Sequence, residues 1–307
     1  MLIDVHAHQF PNRYAEVMAR HGRQLLAVLT GSTLDERIQQ MDEAQVDMQV
    51  LSPSNLMPYL ENETDAREAV RILNDGYAEL THRLPHRFKA YASLPLPHVE
   101  ASLREMERGL DQLEMAGITF GCSILNRSVT EKEFEPLYQE MNRRGAVLFF
   151  HPMVNGICSP LITDFGLEGA AGTTIEDTVV VLHMIVRQIP YRYPGIKIIV
   201  PHLGGLIPML LNRMDNQVAA MNRELPEKPS MTARRFWYDT VSHGSHAALR
   251  CACETFGPAH LVTGSDYPVL LDYESYSKTF SYIREAGLDG GAVEQILQHN
   301  ARQLFGA

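Results

Sequence analysis

Five residues whose side chains can bind metal ions or transfer protons follow short apolar segments of the chain. They are His6, His8, His151, His202 and Asp266. Imidazole nitrogen and carboxylate oxygen together form a donor set that suits Zn²⁺, Mn²⁺, Fe²⁺ or Co²⁺. If the apolar segments are parallel strands of a barrel, the residues at their ends meet at one rim. The sequence therefore predicts a divalent metal site.

The His-Ala-His sequence is the most specific part of this pattern. Side chains alternate along an extended strand, so His6 and His8 point to the same face and can act as two ligands. Taken alone, His151 or His202 could instead be a hydrogen-bonded core histidine, and Asp266 could cap a turn. The Gly-Gly pair after His202 indicates a backbone that passes close to a bulky neighbour.

Eight short apolar, β-branched or aromatic runs alternate with segments of helical periodicity. The runs are residues 2–5, 46–51, 88–93, 118–124, 147–150, 196–200, 236–241 and 261–263. This alternation is typical of βα units around a buried parallel sheet. We predict an α/β fold, a (β/α)8 TIM barrel, with residues 1–307 as one domain. An open doubly wound sheet is the alternative, but it usually has a glycine-rich turn after its first strand.

Two predicted connections are longer than the two to six residues that usually join a strand to a helix. They are residues 9–32, after the first strand, and residues 152–172, after the fifth strand. We expect both segments to cover the substrate.

Charge and cysteine content argue against several classes of protein. The formal net charge is −10 and the pI is near 5.7, which disfavours binding to nucleic acid or to an anionic membrane. The four cysteines are too scattered for a disulfide framework. The first ten residues do not resemble a signal peptide, and no stretch approaches the ~20 apolar residues of a membrane span. We expect a soluble, cytoplasmic protein with reduced thiols.

The chain resembles the amidohydrolase superfamily, in the branch that contains aminocarboxymuconate-semialdehyde decarboxylase and 6-methylsalicylate decarboxylase-like enzymes. The resemblance covers nearly the whole chain and rests on the segments IDVHAH, ASLPLP, VLFFHP, IIVPHLGG, GSDYP and HNARQLF. It implies a metal enzyme with His202 beside a metal-bound water. The metal ligands that it implies are His6, His8, His151 and Asp266.

The resemblance also implies one divalent metal per chain. Binuclear relatives carry a carbamylated lysine at the end of strand 4, whereas the corresponding segment here reads GITFGCSI and contains no lysine. Zinc is the expected metal, with manganese, iron and cobalt as alternatives. Cys122, in the same segment, is expected to pack rather than to bind the metal.

The resemblance also bears on two arginines, Arg213 and Arg23, because enzymes of the family bind their substrates through arginines. Arg213 matches an arginine that binds the substrate carboxylate from a neighbouring subunit, which implies a homodimer or a higher homo-oligomer. A surface salt bridge is the alternative for this residue. Arg23 is a loosely placed substitute for an arginine of the long first loop, and Met153 stands where the muconate-semialdehyde enzyme has a tryptophan.

Three further features have structural interpretations. Asp239 and His243, near the end of the seventh predicted strand, are expected to orient a ligand histidine. The Met-rich segment 207–221 is expected to form a packed or dimer-forming face.

We expect a metal-dependent, non-oxidative decarboxylase of a small aromatic or unsaturated carboxylic acid. His202 and Asp266 are the expected proton carriers. Either the acid protonates the substrate directly, or His202 first deprotonates the metal-bound water. The alternative is a metal-dependent hydrolase of a lactone, amide or carbon–carbon bond, because the same ligands support both reactions. A hydratase and a non-catalytic binding barrel are further alternatives. The product separates decarboxylation, which takes up no water, from hydrolysis.

Overall fold

Eight parallel strands form a barrel in this protein. The computed structural model describes residues 1–23, 33–221 and 225–306. The barrel strands are β1 (Ile3–His8), β2 (Met48–Ser52), β3 (Phe88–Ala92), β4 (Gly117–Gly121), β5 (Val147–His151), β6 (Lys197–Val200), β7 (Trp237–Asp239) and β8 (Leu261–Val262). They pair in chain order. Backbone hydrogen bonds from Val5 to Thr263 (2.9 Å) and from Asp266 to His6 (2.8 Å) join the segment that follows β8 to β1. The predicted barrel is confirmed.

Helices connect successive strands and surround the barrel. They are α1 (Asn12–Arg20), α2 (Leu34–Glu43), α3 (Glu63–Arg83), α4 (Val99–Glu107), α5 (Glu135–Arg144), α6 (Pro160–Thr163), α7 (Thr173–Val186), α8 (Ile189–Arg192), α9 (Ile207–Met221), α10 (Pro229–Ala233), α11 (His246–Phe256), α12 (Lys278–Glu285), α13 (Gly290–Glu294) and α14 (Asn300–Phe305). A π-helical turn, Glu168–Gly172, leads directly into α7.

Two strands end at residues other than the predicted ones. The first strand runs through His8, so both of its histidines lie within the strand. The fourth strand ends at Gly121 and is followed by a short hairpin of Ser123–Ile124 with Arg127–Ser128. An apolar run in the sequence indicates which residues are buried, but it does not indicate where the strand ends. The predicted ends of the first and fourth strands are therefore displaced.

The register between β1 and β2 shifts between Asp4 and Ala7. Val5 belongs to the same buried cluster as Phe149, and the neighbouring His6 ring also lies 5.0 Å from the Phe149 ring. Such irregularities commonly redirect a side chain near an active site. Here the shift lies directly beside His6, whose ring packs against Phe149 in the barrel interior.

The helical stretch Glu168–Val186 is long and apolar enough to cross a membrane by length and composition alone. It includes α7, whose residues Val180, Val181 and Met184 are fully buried against the rest of the protein. Its apolar character is therefore explained by packing within the barrel fold.

Candidate metal centre and active site

Four side chains from three parts of the barrel rim converge on one point. They are His6, His8, His151 and Asp266, and one donor atom from each lies within 4.8 Å of all the others. Strand β1 contributes two imidazoles, β5 contributes one at its last residue, and the loop after β8 contributes the carboxylate. The structure thus brings together the four residues that the sequence analysis identified as metal ligands.

Each of the three imidazoles is held through Nδ1. The partners are the Asp239 carboxylate for His6 (2.7 Å), the Ser52 hydroxyl for His8 (3.0 Å) and the Pro152 carbonyl for His151 (2.8 Å). Partners of this kind fix the ring orientation of a metal-binding histidine and leave its Nε2 lone pair available. The Nε2 atoms of His6 and His151 are buried and make no hydrogen bond. These orphaned nitrogens and the carboxylate fit a divalent cation.

Electrostatics support the same fit. Burial lowers the pKa of His8 to about 4 and that of His151 to about 3, so both rings are neutral donors near pH 7. Burial also disfavours the charged form of His6, but the Asp239 and Asp266 carboxylates outweigh it and raise its pKa to about 9. The buried Asp239 and Asp266 carboxylates thus favour positive charge at His6, which a divalent cation can supply in place of a proton.

Asp239 connects the donor centre to the neighbouring strand end. One carboxylate oxygen accepts from His6, while the other accepts the backbone N–H groups of His202 (2.9 Å) and Val241 (3.0 Å). A Cβ atom at Gly264 would lie 2.9 Å from the Asp239 Cβ and 3.0 Å from the His6 Cβ, so only glycine fits this contact. The predicted orienting role of Asp239 agrees with this geometry.

His243 does not share that role. Its ring contacts Tyr273 at 5.5 Å between centroids, and both residues line the cavity described below. The expectation that His243 orients a ligand histidine was based on its sequence position near strand β7. In the structure the backbone of His243 is left-handed (φ 48°), and its ring lies at the cavity wall instead.

His202 lies beside the donor group but outside it. Its Nδ1 is 2.8 Å from the Asp177 carboxylate, and its Nε2 is 3.8 Å from Asp266 Oδ2. Burial lowers the pKa of His202, but the Asp177 and Asp266 carboxylates raise it more, and the result lies well above the usual value. The ring can therefore hold a proton next to the donor centre.

Close packing explains the Gly-Gly pair after His202. A Cβ at Gly204 would meet the Tyr238 ring at 2.7 Å, and one at Gly205 would meet the Thr174 carbonyl of α7 at 2.1 Å. The φ angle is positive at both glycines and also at His202 (52°). Left-handed backbone at a non-glycine residue is strained and persists where surrounding contacts hold it. The expected close approach is confirmed.

A buried polar network supports β1 from outside the barrel. Arg37 donates to the His8 carbonyl (2.5 Å) and to Gln49 (2.9 Å). Tyr276 donates to Asp4 at 2.8 Å and accepts from Gln49 at 2.8 Å. The network satisfies a buried guanidinium and a buried carboxylate, and it fixes the backbone that carries the two histidines.

Sequence reasoning missed the network around Arg37 and also missed Asp177. Asp4 within the apolar run LIDV and the adjacent acids of TTIEDTVVV were available signals, because a charged residue in a buried element needs a partner.

The donor centre opens into a cavity of about 820 Å³. His151, His202 and Asp266 lie in its lining, and most other lining side chains are apolar. The apolar group includes Val154, Leu203, Leu206, Met209, Val241 and Leu270. Within the described part of the chain, no lysine or arginine lines this cavity.

One of the two long connections lies at the wall of this cavity. Several residues between 152 and 170 line the cavity, which places the second predicted covering loop at its wall. Of the first, residues 24–32 lie outside the described residues. Arg23 is described, and it lines a separate cavity of about 200 Å³ together with Tyr59 and Met153.

Arg213 and Cys122 lie away from the donor group. Arg213 is exposed on α9, where its Nε donates to Gln217 at 3.4 Å, and it does not line the cavity of its own chain. On the same helix, Met214 is buried while Met209 is 78% exposed at the cavity rim. Cys122 is buried, and its thiol contacts Asp177 at 3.4 Å rather than joining the donor group.

Comparisons with known proteins agree with this architecture. The chain is 27% identical to 2-amino-3-carboxymuconate-6-semialdehyde decarboxylase of Dictyostelium discoideum, over 89% of this chain and 76% of that one. It is 28% identical to 6-methylsalicylic acid decarboxylase of Penicillium expansum, over 96% and 95% of the two chains.

A solved structure has the same fold. It is dihydroxybenzoic acid decarboxylase of Polaromonas with bound manganese and the inhibitor 2-nitroresorcinol, with a TM-score of 0.83, 21% identity and coverage of 99% and 96%. The sequence model of the amidohydrolase family matches residues 3–307. The chain therefore belongs to the amidohydrolase family.

Proposed function

We propose that this protein is a metal-dependent, non-oxidative decarboxylase of a small aromatic or unsaturated carboxylic acid. One observation carries the proposal: His202 Nε2 and Asp266 Oδ2 lie 3.8 Å apart beside the donor group, at a cavity with mainly apolar walls. The names of the related decarboxylases support it. The site thus combines metal donors, a proton carrier and space for a small apolar substrate.

The proposed reaction breaks the bond between the carboxylate and its neighbouring carbon. The bonding electron pair stays on that carbon, CO₂ leaves, and the carbon takes up one proton. His202 Nε2 is the proposed proton carrier, because its ring is held at Nδ1 and faces Asp266. When bound, the metal would supply Lewis-acid polarisation of the substrate carboxylate and an adjacent oxygen.

We propose one Zn²⁺ per chain, held by His6, His8, His151 and Asp266. Three imidazole nitrogens and one carboxylate oxygen are typical of zinc. Manganese is the first alternative, since the related dihydroxybenzoic acid decarboxylase contains it. We also propose a cytoplasmic location, which the four free cysteines support.

The substrate carboxylate is proposed to bind at the donor centre, with Arg213 of a second copy completing the site. The cavity lining has no cationic side chain among the described residues, while Arg213 is exposed on the helix whose first turn reaches the cavity rim. A guanidinium binds a carboxylate through two parallel hydrogen bonds. A homodimer or larger homo-oligomer follows from this arrangement.

The identity of the product tests the reaction class. In D₂O, the enzyme should convert 6-methylsalicylate or 2,6-dihydroxybenzoate with release of CO₂ and should place one deuterium on the carbon that carried the carboxylate. In H₂¹⁸O, the organic product should gain no label. Mass spectrometry and NMR measure both results, with the His151→Ala protein as the inactive control. No CO₂ from these acids, together with uptake of ¹⁸O into a new carboxylate when an aromatic lactone or amide is the substrate, would establish the hydrolase alternative.

Removal of one proposed ligand should remove the metal. We expect one equivalent of divalent metal per wild-type chain. His6→Ala and Asp266→Ala should lower metal affinity by more than about tenfold, since loss of an outer hydrogen-bond partner alone costs 10- to 100-fold. Elemental analysis after dialysis gives the metal content, and His86→Ala at an exposed position is the control. Two tightly bound equivalents, or full activity after exhaustive chelation, would contradict a mononuclear centre.

His202 should be required for turnover more than for metal retention. His202→Asn should reduce kcat by about 10²-fold or more, as expected for loss of a general acid or base. The metal content should stay near that of the wild type, because His202 lies outside the four-donor group. Metal loss as large as that of His6→Ala would make His202 a ligand instead.

Arg213 is tested by mixing two inactive chains. Arg213→Lys should raise KM about tenfold or more, because lysine keeps the charge and loses the two parallel hydrogen bonds. Arg213→Ala chains mixed with His151→Ala chains should recover about a quarter of wild-type activity, since half of the random dimers are mixed and each has one intact site.

Arg71→Ala, at an exposed position on α3, is the control for this mixing experiment. A strictly monomeric active enzyme, or no recovery after chains have exchanged, would exclude a shared site.

A further inference from the structure

Two adjacent carboxylates lie buried near the start of helix α7. Glu176 is 3% exposed and Asp177 is fully buried, within the otherwise largely apolar segment TTIEDTVVVLHMIV. A buried carboxylate is costly unless hydrogen bonds satisfy it. Both are satisfied here, but by different parts of the active-site wall. The different partners indicate two separate tasks.

Asp177 contacts two side chains from other elements. Its Oδ2 is 2.8 Å from His202 Nδ1 and its Oδ1 is 3.4 Å from the Cys122 thiol. When Asp177 is ionised, it can only accept hydrogen bonds, so His202 must carry a proton on Nδ1. The other ring nitrogen then faces Asp266 Oδ2 at 3.8 Å. The contact therefore selects both the tautomer and the direction of the ring.

The backbone that carries His202 is anchored to the same helix. Leu206 donates its N–H to the Thr178 hydroxyl at 2.8 Å, and Gly205 packs directly on the Thr174 carbonyl. His202 and Leu203 both have positive φ angles, of 52° and 54°. Strained backbone of this kind keeps one conformation only when several contacts determine it. Asp239 holds the backbone N–H of His202. Helix α7 provides further contacts, to the backbone at Gly205 and Leu206 and, through Asp177, to the ring.

Glu176 holds a different segment, the loop that follows β5. Its carboxylate accepts three backbone N–H groups, from Met153 (2.5 Å), Asn155 (2.8 Å) and Gly156 (3.0 Å). Between the first two lies Val154, which has a positive φ of 56° and lines the cavity. Three hydrogen bonds to one carboxylate fix a strained turn in the cavity wall.

We infer that Glu176 and Asp177 are two positioning residues with separable effects: Asp177 orients His202 for proton transfer, and Glu176 holds the 153–156 backbone that shapes the substrate cavity. The inference rests on the proposed function for its kinetic consequences. The orientation of the His202 ring can be measured without turnover. Neither residue lines the cavity, so neither is assigned a direct contact with substrate.

Kinetics of matched variants separate the two tasks. Asp177→Asn is nearly isosteric and can still accept from Nδ1, whereas Asp177→Leu cannot. We expect kcat to fall by about tenfold in the leucine variant, towards the 10²-fold loss expected for His202→Asn, and to fall less in the asparagine variant. KM and metal content should change little. Glu176→Gln loses one acceptor oxygen, so it should raise KM with a smaller effect on kcat.

Histidine-ring NMR gives a readout that is independent of activity. In ¹⁵N-histidine protein loaded with zinc, the His202 signals are those that disappear in His202→Asn. We expect a protonated Nδ1 in the wild type and in Asp177→Asn, and loss of this preference in Asp177→Leu. Glu176→Gln is the matched control and should leave the His202 tautomer unchanged.

The outcomes distinguish this inference from the proposed function. If the wild type releases no CO₂ from any aromatic acid tested, the proposed function fails, and the NMR result still decides how His202 is oriented. If the wild type is active, wild-type kcat in Asp177→Leu overturns the inference. A wild-type His202 ring that carries a proton on Nε2 and none on Nδ1 overturns it as well. Equal changes of kcat and KM in the Asp177 and Glu176 variants would also overturn it, because the two tasks would not be separable.

Discussion

The Asp239 carboxylate is the interaction on which the arrangement of the site depends. Its two oxygens bind the ring of His6 and the backbone of His202, so one residue at the end of β7 sets the distance between a donor from β1 and the proton carrier after β6. A buried carboxylate is stable only when its hydrogen-bond capacity is used. The hydrogen bonds that satisfy the buried Asp239 carboxylate therefore also position the two histidines.

The same principle extends outward from the donor centre. Buried charges at Asp4, Arg37, Glu176 and Asp177 each bind backbone or side chains of the segments that carry the active-site groups. Several of those segments have left-handed backbone, including His202 and Asp266 themselves. The barrel provides the rigid frame, and these buried polar contacts hold strained rim residues in one conformation. The left-handed backbone at the rim is therefore stabilised by the buried charged side chains that contact it.

Much of the fold and the donor set could be predicted from sequence because both depend on local pattern. Alternation of apolar runs and helical segments indicates a barrel, and parallel strands bring their ends together, so His151 and Asp266 could be grouped with the His-Ala-His pair. The register shift in β1 could not be predicted, because it depends on pairing with β2. Asp177 was missed for a related reason. It lies within a helix rather than at a strand end, and only the packing of α7 on the Gly-Gly turn brings it to His202.

The distribution of charge around the cavity bears on the choice between the two reactions. Hydrolysis consumes water, whereas decarboxylation consumes one proton and leaves a neutral product. The carboxylate of Asp266 and the imidazoles of His151 and His202 line the cavity at the donor centre, and apolar side chains form much of its remaining wall. In the proposed reaction a substrate carboxylate has favourable partners only at that centre, and its aromatic body displaces water from the apolar wall. Negative charge then develops on the carbon nearest the centre, where His202, oriented by Asp177, can deliver the proton. A largely apolar wall with His202 beside the donor centre therefore favours carbon protonation over the addition of water.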